Sequence, residues 1–131
     1  MMSHEQWLNT ILDVAREAAS REFQEEAWLS GRPSTSSPSE IYNQLFDDYT
    51  FDLFFETYSK EFMPIQLLAW NDFKVEFENY GDKFSEFPNE RIVFPNERIV
   101  FEDPDWQRVR EAASRFVKAF EQMHRTGLKD F

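Results

Sequence analysis

Carboxylates are the most abundant chemically capable side chains in this sequence, and they are concentrated in its middle. Between Glu40 and Asp82 stand ten acids, Glu40, Asp47, Asp48, Asp52, Glu56, Glu61, Asp72, Glu76, Glu78 and Asp82, against only Lys60 and Lys74. Asp48, Asp52 and Glu56 are four residues apart. On one helix they stack along a single face about 6 Å apart, and Asp72 and Glu76 repeat the step. Like charges at this spacing cost a helix roughly a few tenths of a kcal/mol per pair, so a chain shaped only by folding would alternate its signs. Two readings are open. In one, the acids are a solvated face with Phe51, Phe54, Phe55 and Phe62 as core behind it. In the other, they form a surface that attracts a basic partner, with Tyr49, Tyr58 and Trp70 as anchors that bury area and keep a polar end. The second reading makes Asp47, Asp48, Tyr49, Asp52, Glu56, Tyr58, Trp70, Asp72 and Glu76 the partner-binding candidates.

Other chemistry is thinly represented. Glu121 and His124 form an E-x-x-H pair, which di-iron bundles use in duplicate with further carboxylates, but the only other histidine is His4. A solvated last helical turn with His124 and Arg125 near its C-terminus accounts for the pair. There is no G-x-S-x-G, no H-E-x-x-H and no glycine-rich phosphate loop, and the three glycines leave little from which to build one. The expectation is a protein that is not an enzyme, with no catalytic residues, no metal ligands and no cofactor. Pairing of two carboxylates as acid and base is left open by so many acids.

The elements that position these residues are bounded first by composition. The 131 residues fit one domain, and 15 Phe, 4 Trp and 4 Tyr supply a large apolar area for its core. The absence of cysteine removes disulfides and thiolate sites and suits a reducing compartment. The first twenty residues lack a basic segment followed by an apolar run, and no stretch has the length of a membrane span, so a cytoplasmic protein without membrane contact is expected. The net charge of −11 repels phosphate backbones and disfavours direct nucleic-acid binding. Solubility alone would also account for an acidic balance.

Helical periodicity then organises the chain. Ser3 and Gln6 form a capping box ahead of Trp7, Leu8, Ile11, Val14, Ala15, Ala18 and Ala19, which predicts a helix to about Leu29, followed by a loop over 31–37. Ser37-Pro38-Ser39-Glu40 starts a second helix, and Phe51, Phe54, Phe55, Tyr58 and Phe62 mark a third, with one continuous helix from Pro38 to Phe62 as the alternative. Pro64 opens a fourth with an expected buried stripe of Ile65, Leu68, Ala69, Phe73, Phe77 and Tyr80; Trp70 falls beside it. Asp103 and Pro104 start the last helix, whose Trp106, Val109, Ala113, Phe116, Phe120 and Met123 face the core. Gly127 is its predicted end, with a frayed tail over 126–131.

Before that helix, Phe87-Pro88-Asn89-Glu90-Arg91-Ile92-Val93 recurs unchanged as Phe94-Pro95-Asn96-Glu97-Arg98-Ile99-Val100. Two copies are too few and too short for a solenoid, so 87–101 reads as a tandem heptapeptide insertion. Arg91–Phe94 and Arg98–Phe101 each have strand-forming content, with Pro95-Asn96 turning between them. A shift of seven, being odd, reverses which side chains face inward, so the copies cannot be interchangeable in one register.

The fold expected from these elements is mainly α. It is a single helical domain over 1–131, a bundle of four to five helices with a short β-hairpin-like element at about 90–101 before the C-terminal helix. It is expected to be a monomer or weak homodimer. In size and charge alone, the chain resembles the immunity proteins that neutralise cationic nuclease toxins; no motif carries the likeness. That resemblance implies an acidic protein-binding or inhibitory module with a basic protein partner. The alternatives are a nucleic-acid mimic occupying a nucleic-acid-binding protein, and, third, a helical-bundle enzyme or small-ligand binder.

Overall fold

The capping box forms as the sequence predicts: Ser3 Oγ accepts from the Gln6 amide at 3.1 Å, and Gln6 Oε1 accepts from the Ser3 amide at 2.9 Å. It opens α1 (His4–Ala19), whose Ile11, Leu12, Val14, Ala15 and Ala18 are buried. In this computed structural model the described residues are 3–86 and 91–129, with side chains described through Glu121. The first helix does not run unbroken to Leu29. Ser20 takes an extended conformation, and its hydroxyl accepts from the Phe23 amide at 3.0 Å, capping a separate α2 (Arg21–Gln24). A serine inside a helical pattern can thus exchange the helical ladder for a local side-chain bond. A π turn over Glu25–Leu29 follows α2, and Gly31, at φ +81°, terminates it in the left-handed region that favours glycine.

Ser37 and Pro38 start α3 (Pro38–Asn43), with Ser37 Oγ accepting from the Glu40 amide at 3.0 Å. A π turn over Gln44–Asp48 extends it, and Thr50 at φ 40° then separates it from α4 (Phe51–Thr57). The break between the second and third helices is therefore real. Left-handed backbone costs an L-residue about 1–2 kcal/mol, and burial of Phe51, Phe54 and Phe55 just beyond the bend offsets it. One 3₁₀ turn, Ser59–Glu61, leads to α5 (Pro64–Asp82).

The buried face of α5 is rotated from the expected stripe. Phe73, Phe77 and Tyr80 are buried, but they are joined by Gln66, while Ile65 and Leu68 stand 64% and 60% exposed. Trp70 lies on the inward side, half-buried and 5.3 Å from the Phe55 ring. The sequence offered α5 two apolar faces at helical spacing, and packing against the aromatic side chains of the last helix and of α4 selected the aromatic one.

The last helix, α7 (Pro104–Lys129), begins where predicted, with Asp103 Oδ1 accepting from the Asp105 amide at 2.9 Å. It packs on both α1 and α5 and buries Trp106, Val109, Ala113, Phe116 and Phe120. The side chain of Met123 lies outside the described residues. The helix continues through Gly127 to Lys129, correcting the predicted stop at that glycine: Gly costs a helix about 1 kcal/mol but does not by itself end it. Residues 130–131 of the expected frayed tail lie outside the described residues. No helix among the described residues is long and apolar enough to cross a membrane.

The architecture is mainly α with a short hairpin before the C-terminal helix, but among the described residues the two heptapeptide copies do not pair with each other. Strand β1 (Ser85–Glu86) pairs antiparallel with β2 (Arg91–Ile92), and the second copy forms a helix, α6 (Glu97–Glu102). The residues after each copy explain the difference. Phe94 precedes Pro95, which disfavours helical backbone there, whereas Phe101 precedes Glu102 and Asp103, leaving room for a turn capped by Asn96 through the Arg98 amide at 2.8 Å.

Candidate functional site

The structure distributes the nine candidate residues over more than one surface. Asp48 ends the π turn and Asp52 lies in the first turn of α4, with the left-handed Thr50 between them, so the stack of Asp48, Asp52 and Glu56 expected along one helix is broken. Asp48 and Glu56 are exposed. Asp52 is half-buried, and its Oδ1 accepts from the Leu53 amide at 2.9 Å. Tyr49 and Tyr58 are half-buried against α1: the Tyr49 carbonyl accepts from Trp7 Nε1 at 2.6 Å, and the Tyr58 ring stacks on His4 at 4.6 Å. Trp70 holds Lys74 over its ring at 4.8 Å, and its Nε1 is buried without a hydrogen-bond partner among the described residues.

Asp72 and Glu76 stay together on α5 as the spacing predicts, and their setting there is not polar throughout. Ile65, Leu68, Asp72 and Val75 follow one another at steps of three and four along the outer side of the helix, with Glu76 four residues after Asp72, and Ile65, Leu68 and Val75 are exposed. Leu53 on α4 and Met63 before α5 are exposed as well. Sequence reasoning missed this aliphatic component because it assigned Ile65 and Leu68 to the core; the signal that could have revealed it was the competing Gln66, Trp70, Phe73, Phe77 spacing.

A second acidic group gathers around Tyr42. Burial, together with the charges of Glu78, Asp82 and Asp47, pushes the Tyr42 hydroxyl up to about 12. Burial also raises Glu78, helped by Asp52 and Asp82 and opposed by Lys74. A carboxyl raised in the fold is protonated more readily there than in the unfolded chain. The ionised form of Glu78 therefore weakens the fold at neutral pH, and this cost disappears as pH falls through its raised value toward the ordinary 4.5. Accordingly, Glu78→Gln is expected to have a higher Tm than wild type at pH 7, and the difference is expected to close on acidification. Thermal melts across that range check it; a constant difference would assign the gain to packing.

Beside Tyr42 lies an open cleft of about 450 Å3, with Ser39, Tyr42 and Asp47 on one side and residues 91–94 on the other. Asp47 reaches it from the π turn, which the Tyr49 amide closes on the Gln44 carbonyl at 2.8 Å. Gly81 permits the close approach of the walls, since a Cβ there would meet Ile92 Cδ1 at 3.1 Å and Tyr42 Cε2 at 3.2 Å.

Among the described residues, no group of three or more His, Asp or Glu is placed to hold a metal ion. Glu121 accepts from Arg16 Nε at 3.5 Å, while the side chain of its E-x-x-H partner, His124, lies outside the described residues. No family model matches the chain, and no curated protein or solved structure matches it.

Proposed function

We propose that this chain is an acidic protein-binding or inhibitory module that docks a basic protein through the outer face of α5 and the adjoining surface of α4. The observation that carries the reading is the mixture on that face, where Ile65, Leu68 and Val75 alternate with Asp72 and Glu76. Stable interfaces combine an apolar centre that excludes water with a charged rim that fixes register and speeds encounter. A second copy of the chain would set carboxylate against carboxylate, whereas a partner bearing Lys and Arg around an apolar patch meets both components. A nucleic-acid mimic is the weaker reading: exposed aliphatics add nothing to an imitation of phosphates, and Thr50 interrupts the acidic row.

The test begins with a basic protein captured from host lysate and then purified. Its association rate with the wild-type chain should fall steeply with salt. Asp72→Lys with Glu76→Lys should slow association by about tenfold or more at low salt and flatten that dependence. Leu68→Ser should instead speed dissociation. Unchanged rates in both variants would reject the α5 face, and displacement of the partner by duplex DNA would favour the mimic.

A further inference from the structure

The cleft beside Tyr42 runs along the open edge of a strand. Val93 N–H donates to the Phe84 carbonyl at 3.1 Å, so in the antiparallel pair of β1 and β2 the alternation of backbone directions turns the Ile92 N–H and C=O away from β1. Among the described residues β1 is the only strand paired with β2, and no hydrogen bond reaches the Ile92 backbone from the other side. Successive strand side chains point to opposite faces. The cavity is bordered by all four residues 91–94, so it lies alongside β2 and the residues that follow it, next to the outward Ile92 N–H and C=O. Opposite stand Ser39 and Tyr42, one helical turn apart on α3, with Asp47 beyond them. Tyr42 and Phe94 meet at 5.7 Å and 63° and give the cleft an apolar base.

We infer that this cleft is a peptide-binding groove that takes an extended basic segment of a protein partner, adding it as a strand to the free edge of β2 with a Lys or Arg side chain directed to Asp47. Strand addition draws affinity from main-chain hydrogen bonds and selectivity from the pockets that flank the edge. Asp47 supplies that selectivity, and Glu78 and Asp82 near Tyr42 reinforce its sign; Arg91 at the opposite wall partly offsets it. The inference rests on the proposed protein-binding function but names a surface apart from the outer face of α5. It also assigns a role to the first heptapeptide copy, which supplies β2 and, with Phe94, one whole wall.

Two-dimensional NMR titration with a short alternating Val/Arg/Val/Lys/Val peptide, and with its glutamate counterpart, tests the inference on the full chain. The basic peptide should shift residues 42, 47 and 91–94 saturably and slow hydrogen exchange of the Ile92 amide, while the acidic peptide should not. Asp47→Lys should weaken binding about tenfold or more, the loss of a charge-assisted contact. Ile92→Pro removes the outward N–H while leaving the bond from Val93 to Phe84, and should abolish the Ile92-edge contribution; retention of the β1–β2 cross-peaks shows that the hairpin persists. Asp72→Lys with Glu76→Lys should leave peptide binding unchanged. Shifts confined to α4 and α5, or full affinity in Asp47→Lys, would overturn the groove while sparing the acidic-face reading. Loss of partner binding in the α5 variant without loss in Asp47→Lys would separate the two in the same way.

Discussion

Gln24→Leu is expected to destabilise the fold by about 3–5 kcal/mol, a fall in Tm of roughly 10–20 °C by thermal or urea denaturation. Gln24 and Arg110 are the polar centre of the bundle, 0% and 3% exposed. Gln24 Oε1 accepts from Arg110 Nε at 2.7 Å and from Trp106 Nε1 at 3.0 Å, while its Nε2 donates to the carbonyls of Glu17 and Ala18 at 2.9 and 2.8 Å. Those carbonyls lie in the last turn of α1, where helical partners run out. One side chain therefore caps α1 and ties it to α7. Leucine fills similar space but removes both functions, stranding a guanidinium and an indole N–H in the core.

The size of this effect depends on the charge left behind more than on the bonds lost. Arg110 also donates through Nη1 to Gln107 Oε1 and through Nη2 to the Phe101 carbonyl, both at 2.8 Å, and its side chain lies 4.8 Å over the Phe101 ring. Burial and the nearby charge of Arg21 bring its pKa down to about 10, so it still carries its proton at pH 7. Among the described residues no carboxylate pairs with it. A buried cation held only by neutral acceptors is sensitive to loss of any one of them. Adding Arg110→Met to Gln24→Leu should recover about half of the loss, because the uncompensated charge leaves with the arginine. A double change as damaging as the sum of the two single ones would place the energy in packing instead.

No pattern of apolar residues could have disclosed that centre, since Gln24 and Arg110 look like solvated helix positions in the sequence. The legible features were those set by neighbours close along the chain. The caps at Ser3, Ser37 and Asp103, the prolines at helix starts and the apolar stripe of α7 from Trp106 to Phe120 all form as read. The rest depended on choices made in three dimensions. Ser20 could continue a helix or cap a new one, and the bond from Gln24 back to α1 belongs with the second choice. On α5, Ile65 and Leu68 competed with Gln66 and Trp70 for the interior, and the tilted contact of Phe55 with Trp70, the edge contact of Phe51 with Phe73 and the contacts of Phe73 and Phe77 with Phe116 and Trp106 of α7 decided the phase. The candidate surface inherited the same division. Its acids could be read directly, whereas the aliphatic side chains between them and the groove beside Tyr42 could not.

Val100→Asp is expected to cost more than about 4 kcal/mol, a large part of the roughly 5–15 kcal/mol that holds an ordinary domain folded, whereas Val93→Asp, the same change in the same seven residues, is expected to stay within about 1 kcal/mol of wild type. Val100 is 0% exposed and Val93 38%. The reversal extends to the neighbouring position: Ile92 packs toward Gly81 and Tyr42, while Ile99 is exposed on α6. Ile92→Asp should accordingly be the damaging change of its pair and Ile99→Asp the tolerated one. Strand alternation in the first copy half-buries Ile92 and leaves Val93 exposed, and the helical turn at the second buries Val100 and Phe101. An aspartate at 100 finds no ready counter-ion, because Gln24, Gln107 and the Phe101 carbonyl already engage the Arg110 fork. Denaturation of the four variants reads the conformation of each copy independently. Equal costs at 93 and 100 would mean that the copies share one conformation. The predicted cross, with Ile92 and Val100 sensitive and Val93 and Ile99 tolerant, requires the same Arg-Ile pair to be strand in the first copy and helix in the second, with Pro95 after the first copy and Glu102 after the second deciding which.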